Sequence, residues 1–127
     1  KYALIIIVSI ISVFIWLLGS LFVLNSPLNL INVWMIPVIL SIAMNHAIQI
    51  ILRWKQEKNL DTVYRSTGNA ILLTTITIIV LVFPFCFASH IGITSIASVL
   101  LAGLGFSFLA HLIVLPPLLA ETFPGNV

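Results

Sequence analysis

Apolar residues run along this chain in four long blocks, at about residues 2–24, 28–52, 70–88 and 93–115, parted by two short polar breaks and one charged interval at 53–69. A helix needs about 20 mostly apolar residues to cross roughly 30 Å of hydrocarbon at 1.5 Å per residue. Each block comes close to that length or exceeds it. Each is also apolar around its whole circumference, without the polar face that a helix on a soluble protein keeps towards water. The alternating polarity of membrane β-strands is not present. The pattern therefore predicts an all-α, polytopic membrane protein whose four transmembrane helices form one antiparallel bundle.

The connections refine this picture. Asn25, Ser26 and Pro27 make a turn short enough only for an antiparallel pair, with Asn25 or Ser26 placed to cap the next helix and Pro27 in its first turn. The interval 53–69 is different. Trp54, Leu60, Val63 and Tyr64 recur at roughly helical spacing among its charges, which predicts an amphipathic helix along the membrane surface, with Trp54 and Tyr64 at headgroup depth. Asn59 or Asp61 is placed to cap its second part.

Composition excludes a soluble fold, because 61% hydrophobic and 6% charged residues would leave almost no polar surface for water. Charge then orients the bundle. Lys1 precedes the first block, and Arg53, Lys55, Lys58 and Arg65 all fall between the second and third. With four spans they share one side, which the positive-inside rule makes cytoplasmic, giving an N-in, C-in topology. The net charge of +2 thus reports topology and attraction to membrane lipids, and gives no support to nucleic-acid binding. Cys86 is the single cysteine, so the chain offers no internal disulfide and no cysteine-based metal site. No cofactor is implied. The first block is too long for a signal-peptide core and is expected to remain. The opening on Lys1 rather than Met reads as a piece of a longer protein.

Polar residues inside the blocks are the candidates for function. The second block carries Ser41, Asn45 and Gln49 at four-residue intervals, with His46 beside them and Pro37 one turn earlier. The third carries Thr74, Thr75 and Thr77, and the fourth carries Gly103, Ser107 and His111. Distances from Arg53, Arg65 and Pro116 put all three groups in the cytoplasmic half, where they can satisfy one another across helices. Hydrogen bonding between packed helices is the plain reading for Ser, Thr and Gly. Ionisable residues inside a membrane tend to mark pathways or relays, which makes His46 and His111 transport candidates, with a neutral, hydrogen-bonded histidine as the plain alternative. The acids Glu57, Asp61 and Glu121 all lie outside the blocks, so no carboxylate relay is available. A small four-helix multidrug exporter, which relies on a glutamate in its first helix, does not fit. No HExxH pair, Gly-x-Ser-x-Gly or aspartyl pair is present, and an enzyme is not expected.

The run NSPLNLINVWMIPVILSIAMNHAIQIILR, then the charged segment, then RSTGNAILLTTITIIV and finally LPPLLAE, in that order, resemble helices three to six in one six-helix half of the resistance-nodulation-division (RND) superfamily. The branch this most resembles is the lipid exporters of the MMPL and hopanoid-transporter type, with their relatives that carry sterol-sensing domains. The segment from Arg65 to Thr77 is the most specific part. Leu115, Pro116, Leu118 and Leu119 match the closing motif. The resemblance covers nearly the whole chain and implies about a third of a twelve-helix exporter of lipids or other hydrophobic compounds in the bacterial inner membrane. Its partners would be membrane lipids, the remaining helices and the extracytoplasmic domains. Which half it represents is open, with the short tail to Val127 favouring the C-terminal one.

The departures from the family pattern lie at its mechanistic centre. The fourth-helix Asp that carries the coupling proton in the family is Asn45 here, the His four residues later is Gln49, and the two preceding glycines are Ser41 and Ala43. An amide does not titrate. Either the other half carries the relay, or His46 and His111 take its place, or the protein is a non-coupled relative. Pro84 stands where the family has a Gly-Phe pair and should kink the third helix. A sterol-sensing-like lipid-binding or scaffold module is the second reading, and an unrelated four-helix membrane protein, complete in itself, the third. Ala102, Gly103 and Gly105 suit close packing of the last helix on a missing helix or on a second copy in a homo-oligomer.

Overall fold

The computed structural model describes residues 1–23 and 30–122. The expected turn at 25–27, with its Asn25 or Ser26 cap, and the tail at 123–127 lie outside the described residues. The first span is α1, Tyr2–Val23. A short α2, Leu30–Val33, leads into α3, Met35–Glu57. The third span joins α4 (Leu60–Val63), a π-helical turn (Tyr64–Gly68), α5 (Asn69–Val82) and a 3-10 turn (Phe83–Phe87) into one stretch from Leu60 to Phe87. The fourth comprises α6, Ile91–Ile113, and α7, Leu115–Thr122. Four helices are thus long and apolar enough to cross a membrane, and no strand occurs among the described residues.

Prolines place the breaks. Pro37 has no N–H and its ring clashes with the carbonyl four residues back, so helix cannot run unbroken from α2; α3 starts afresh at Met35 with Pro37 in its first turn. Pro116 and Pro117 do the same for α7 after the break at Val114. Pro84 ends α5 at Val82 and tightens the next turn to 3-10 geometry.

The charged interval 53–69 is divided between two spans. Helix α3 continues five residues past its expected end, to Glu57. There Lys58 turns left-handed, with φ of 51°, and its N–H donates to the Trp54 carbonyl at 2.8 Å, closing the helix. Asn59 then caps the next helix by accepting from the Thr62 N–H at 3.3 Å. The third span therefore begins at Leu60 rather than 70. Trp54 and Val63 are buried in the bundle, with Leu60 and Tyr64 packed beside them.

Two apolar layers hold the bundle. One joins Ile5 from the start of α1, Ile50, Ile51 and Trp54 from the end of α3, Val63 and Ile71 from the start of the third span, and Leu115 and Leu119 of α7. The other joins Val13, Leu17 and Leu21 of α1 to Ile39 and Ala43 of α3 and to Val99 and Ala110 of α6. Starts and ends meet alternately in the first layer, so spans consecutive in sequence run antiparallel. Helix α6 is central and packs against α1, α3 and α5. Along α1 the inward row is Ile5, Ser9, Val13, Leu17 and Leu21, one residue every four, while Leu4, Ile7, Ile11 and Ile15 face outward.

Small residues bring α3 and α6 together. Ala43 and Ala47 on α3 and Gly103 and Ala110 on α6 are buried. A Cβ added at Gly103 would lie 2.7 Å from Cγ1 and 2.8 Å from Cγ2 of Ile39, so the two helices approach to a distance that only glycine allows.

Candidate functional site

Between the two apolar layers lies a thin polar one. On α1, Ser9 falls between Ile5 of one layer and Val13 of the other. On α3, His46 falls between Ala43 and Ile50, and α6 supplies Ser107 and His111. All four side chains are buried, none more than 4% exposed. Ser9 and His46 thus sit between buried apolar residues of their own helices.

His111 is the hub. Its Nδ1 faces the Ser107 carbonyl within hydrogen-bonding distance, and its Nε2 lies 3.3 Å from the Ser9 hydroxyl. A carbonyl only accepts, so Nδ1 carries a proton and donates it. With Nδ1 protonated, Nε2 of the neutral ring accepts from the Ser9 O–H. The His46 ring stands almost perpendicular to the His111 ring, at 87° with centroids 5.8 Å apart. Two polar atoms in this layer have no hydrogen-bond partner, His46 Nδ1 and Ser107 Oγ. Buried polar atoms are nearly always paired, so two such atoms within one thin layer stand out.

Tyr64 fastens the layer to the third span. Its hydroxyl donates to the His111 carbonyl at 3.0 Å, near the C-terminus of α6, where the break before α7 leaves carbonyls without helical partners. Replacing Tyr64 by Phe removes this bond and little volume. The expected loss of stability is about 0.5–1.5 kcal/mol, read from the unfolding midpoint of the protein in detergent. An unchanged midpoint would show that the hydroxyl is equally well served by water.

Of the polar residues singled out from the sequence, the structure brings together His46, Ser107 and His111. It does not bring Asn45 or Gln49 to them. Both are exposed, with Ser41, on the outer face of α3. The threonines bond to their own helix: Thr74 donates to the Ala70 carbonyl at 2.8 Å, Thr75 to Ile71 at 2.7 Å and Thr77 to Leu73 at 2.8 Å. Of these only Thr75 is buried. Ser9 and Tyr64 were not among the sequence candidates, although Ser9 occupies the four-residue row of α1.

Comparison with known proteins adds no name to this geometry. No protein-family model matches the chain, and neither the curated proteins nor the solved structures contain a match to it. The chemistry of the layer is that of two imidazoles and two hydroxyls. Among the described residues no group of three or more His, Cys, Asp or Glu side chains is placed to hold a metal ion. What such a layer can exchange is protons and hydrogen bonds.

Proposed function

We propose that this chain is part of the membrane domain of an RND-type transporter that exports lipids or other hydrophobic compounds from the bacterial inner membrane. The observation that carries this reading is the outer face of α3, where Ser41, Asn45 and Gln49 are exposed along a helix long and apolar enough to span the bilayer. An amide facing hydrocarbon is costly, because lipid offers it no hydrogen bond. A face of this kind calls for further helices against it, as the missing half of a larger transporter would supply. The segment from Arg65 to Thr77, where the resemblance to that superfamily is densest, supports the same reading. It contains most of the π-helical turn, a feature frequent at functional sites.

The orientation in this proposal has Lys1, Arg53, Lys55, Lys58 and Arg65 on the cytoplasmic side. The stretch 53–69 then lies at that interface, with its apolar side against the bundle. Asn45 occupies the place of the proton-carrying Asp, so α3 no longer titrates there.

The test is efflux of a hydrophobic fluorescent reporter from cells expressing the full-length protein, comparing wild type, Asn45→Asp and Asn45→Leu. Wild type should lower reporter accumulation, and Asn45→Leu should abolish that activity by removing the amide from its helix contact. Asn45→Asp should alter the dependence on the proton gradient. Wild type and Asn45→Leu that behave as an empty vector would end the exporter reading.

A second reading, a sterol-sensing-like lipid-binding or scaffold module, draws on a groove between α5 and α6. Leu72, Thr75, Ile76, Ile79, Gly105 and Phe108 line about 120 Å³ there, with Gly105 leaving open space at its side. Photo-crosslinking of a sterol or acyl chain into this groove, without any movement of reporter, would favour it.

A further inference from the structure

We propose that His46 and His111 form one buried site that binds a single proton within the bundle. Binding stands on the geometry of the polar layer; any use of the proton in transport rests on the exporter reading above. The partners of His111 accommodate either charge state. In the neutral ring Ser9 donates to Nε2 across 3.3 Å. When a proton from solvent adds to Nε2, the ring gains one positive charge, the new N–H donates to the Ser9 oxygen, and nothing else leaves. The Ser9 hydroxyl hydrogen then turns to the carbonyl four residues back, a bond that helical serines make readily. A hydroxyl both donates and accepts, so this change leaves no new unpaired group. Nδ1 keeps its bond to the Ser107 carbonyl in both states.

The surroundings admit at most one added charge. His111 sits in the last turn of α6, beside the negative end of that helix dipole. His46 presents a second ring 5.8 Å away, with Nδ1 unpartnered and the ring 4% exposed. Two imidazolium rings at this distance in an apolar interior repel strongly, so the pair titrates as a unit. Tyr64 is the titratable group that touches this pair, through the His111 carbonyl. The others on the packed elements stand farther off. Lys1 and Tyr2 stand at the start of the first span, Arg53, Lys55 and Glu57 close α3, and Glu121 is on α7, each at least seven residues from Ser9, His46 or His111 on its own span, while Asp61 and Arg65 on the third span are exposed to the outside. Asn69–Val82 contains no titratable side chain. No carboxylate therefore shares the layer, and the imidazoles are its proton acceptors.

The experiment is nitrogen NMR of ring-labelled histidines in the wild-type chain in lipid nanodiscs, from about pH 4 to about pH 9, the range that brackets ordinary imidazole titration. The His46 and His111 signals should move together through one transition that accounts for one proton. Ser9→Ala should displace that transition by about half a pH unit or more, through loss of the hydroxyl that follows the proton. Ring signals from both residues that stay fixed across this range would overturn the proposal, and so would two independent transitions with one full proton on each ring. A single shared transition in a protein that moves no reporter would support the site and count against the exporter reading. Fixed rings in a protein that pumps, with His46→Gln pumping equally well, would do the reverse.

Discussion

Trp54→Ala is expected to cost about 3–5 kcal/mol, the loss typical of deleting a buried indole. The ring is 3% exposed and lies in the apolar layer formed by the start of α1, the end of α3, the start of the third span and α7. Tyr2 packs on it with ring centroids 6.4 Å apart. The indole thus fills part of a layer to which four elements contribute, and its removal leaves a void at that end of the bundle. Trp54→Phe should retain most of the stability. An interfacial anchor behaves differently, since its loss weakens the hold on the headgroups but leaves the helices packed. Unfolding of purified protein in detergent, where no bilayer interface exists, separates the two. A large drop there for Trp54→Ala shows a packing role, and parent-like stability shows the anchoring role that sequence pattern suggests.

Why the sequence suggested an anchor at Trp54 shows where its legibility stopped. The four spans were readable because length and apolarity alone decide which segments cross a bilayer. Their ends were less so. Arg53, Lys55 and Glu57 look like the end of a span, yet helical hydrogen bonding runs on until Lys58 turns left-handed, and charges on the last turn reach water without breaking it. The same logic starts the third span at Leu60, ten residues early, since Asn59 caps it there.

The faces of the helices were illegible for a different reason. Along a helix each residue advances about 100°. Asn45 and His46 therefore point in quite different directions, and the apolar surroundings of both give no periodic signal to choose between them. The sequence stripe of Ser41, Asn45 and Gln49 is real as a stripe. The structure turns it outward and turns His46 inward, to meet His111. Ser9 was hidden in the same way, because every other residue of its inward row is aliphatic and so are most residues on the other faces of α1. What sets these rotations is packing, and packing is a property of pairs of helices rather than of one sequence window.

Ile39 of α3 fills the space beside Gly103 of α6, and Gly103→Val is expected to be among the most damaging small substitutions in the bundle. Even a Cβ at this position overlaps the Ile39 side chain, which is fully buried and β-branched and so has little freedom to move aside. Overpacking in an interior costs typically about 1–3 kcal/mol, and Val adds two more carbons beyond the one that already clashes, so a loss of about 3 kcal/mol or more is expected. The helices can relieve the clash by separating or by rotating. Either movement displaces His46 from His111, so the shared proton transition should split or vanish along with stability. Gly103→Ala should show a milder form of both effects, and pairing it with Ile39→Ala should recover part of the loss, since the truncated partner makes room for the new methyl. Gly103→Val with parent stability and an undisturbed pair of ring signals would mean that α3 and α6 do not approach as closely as these positions require.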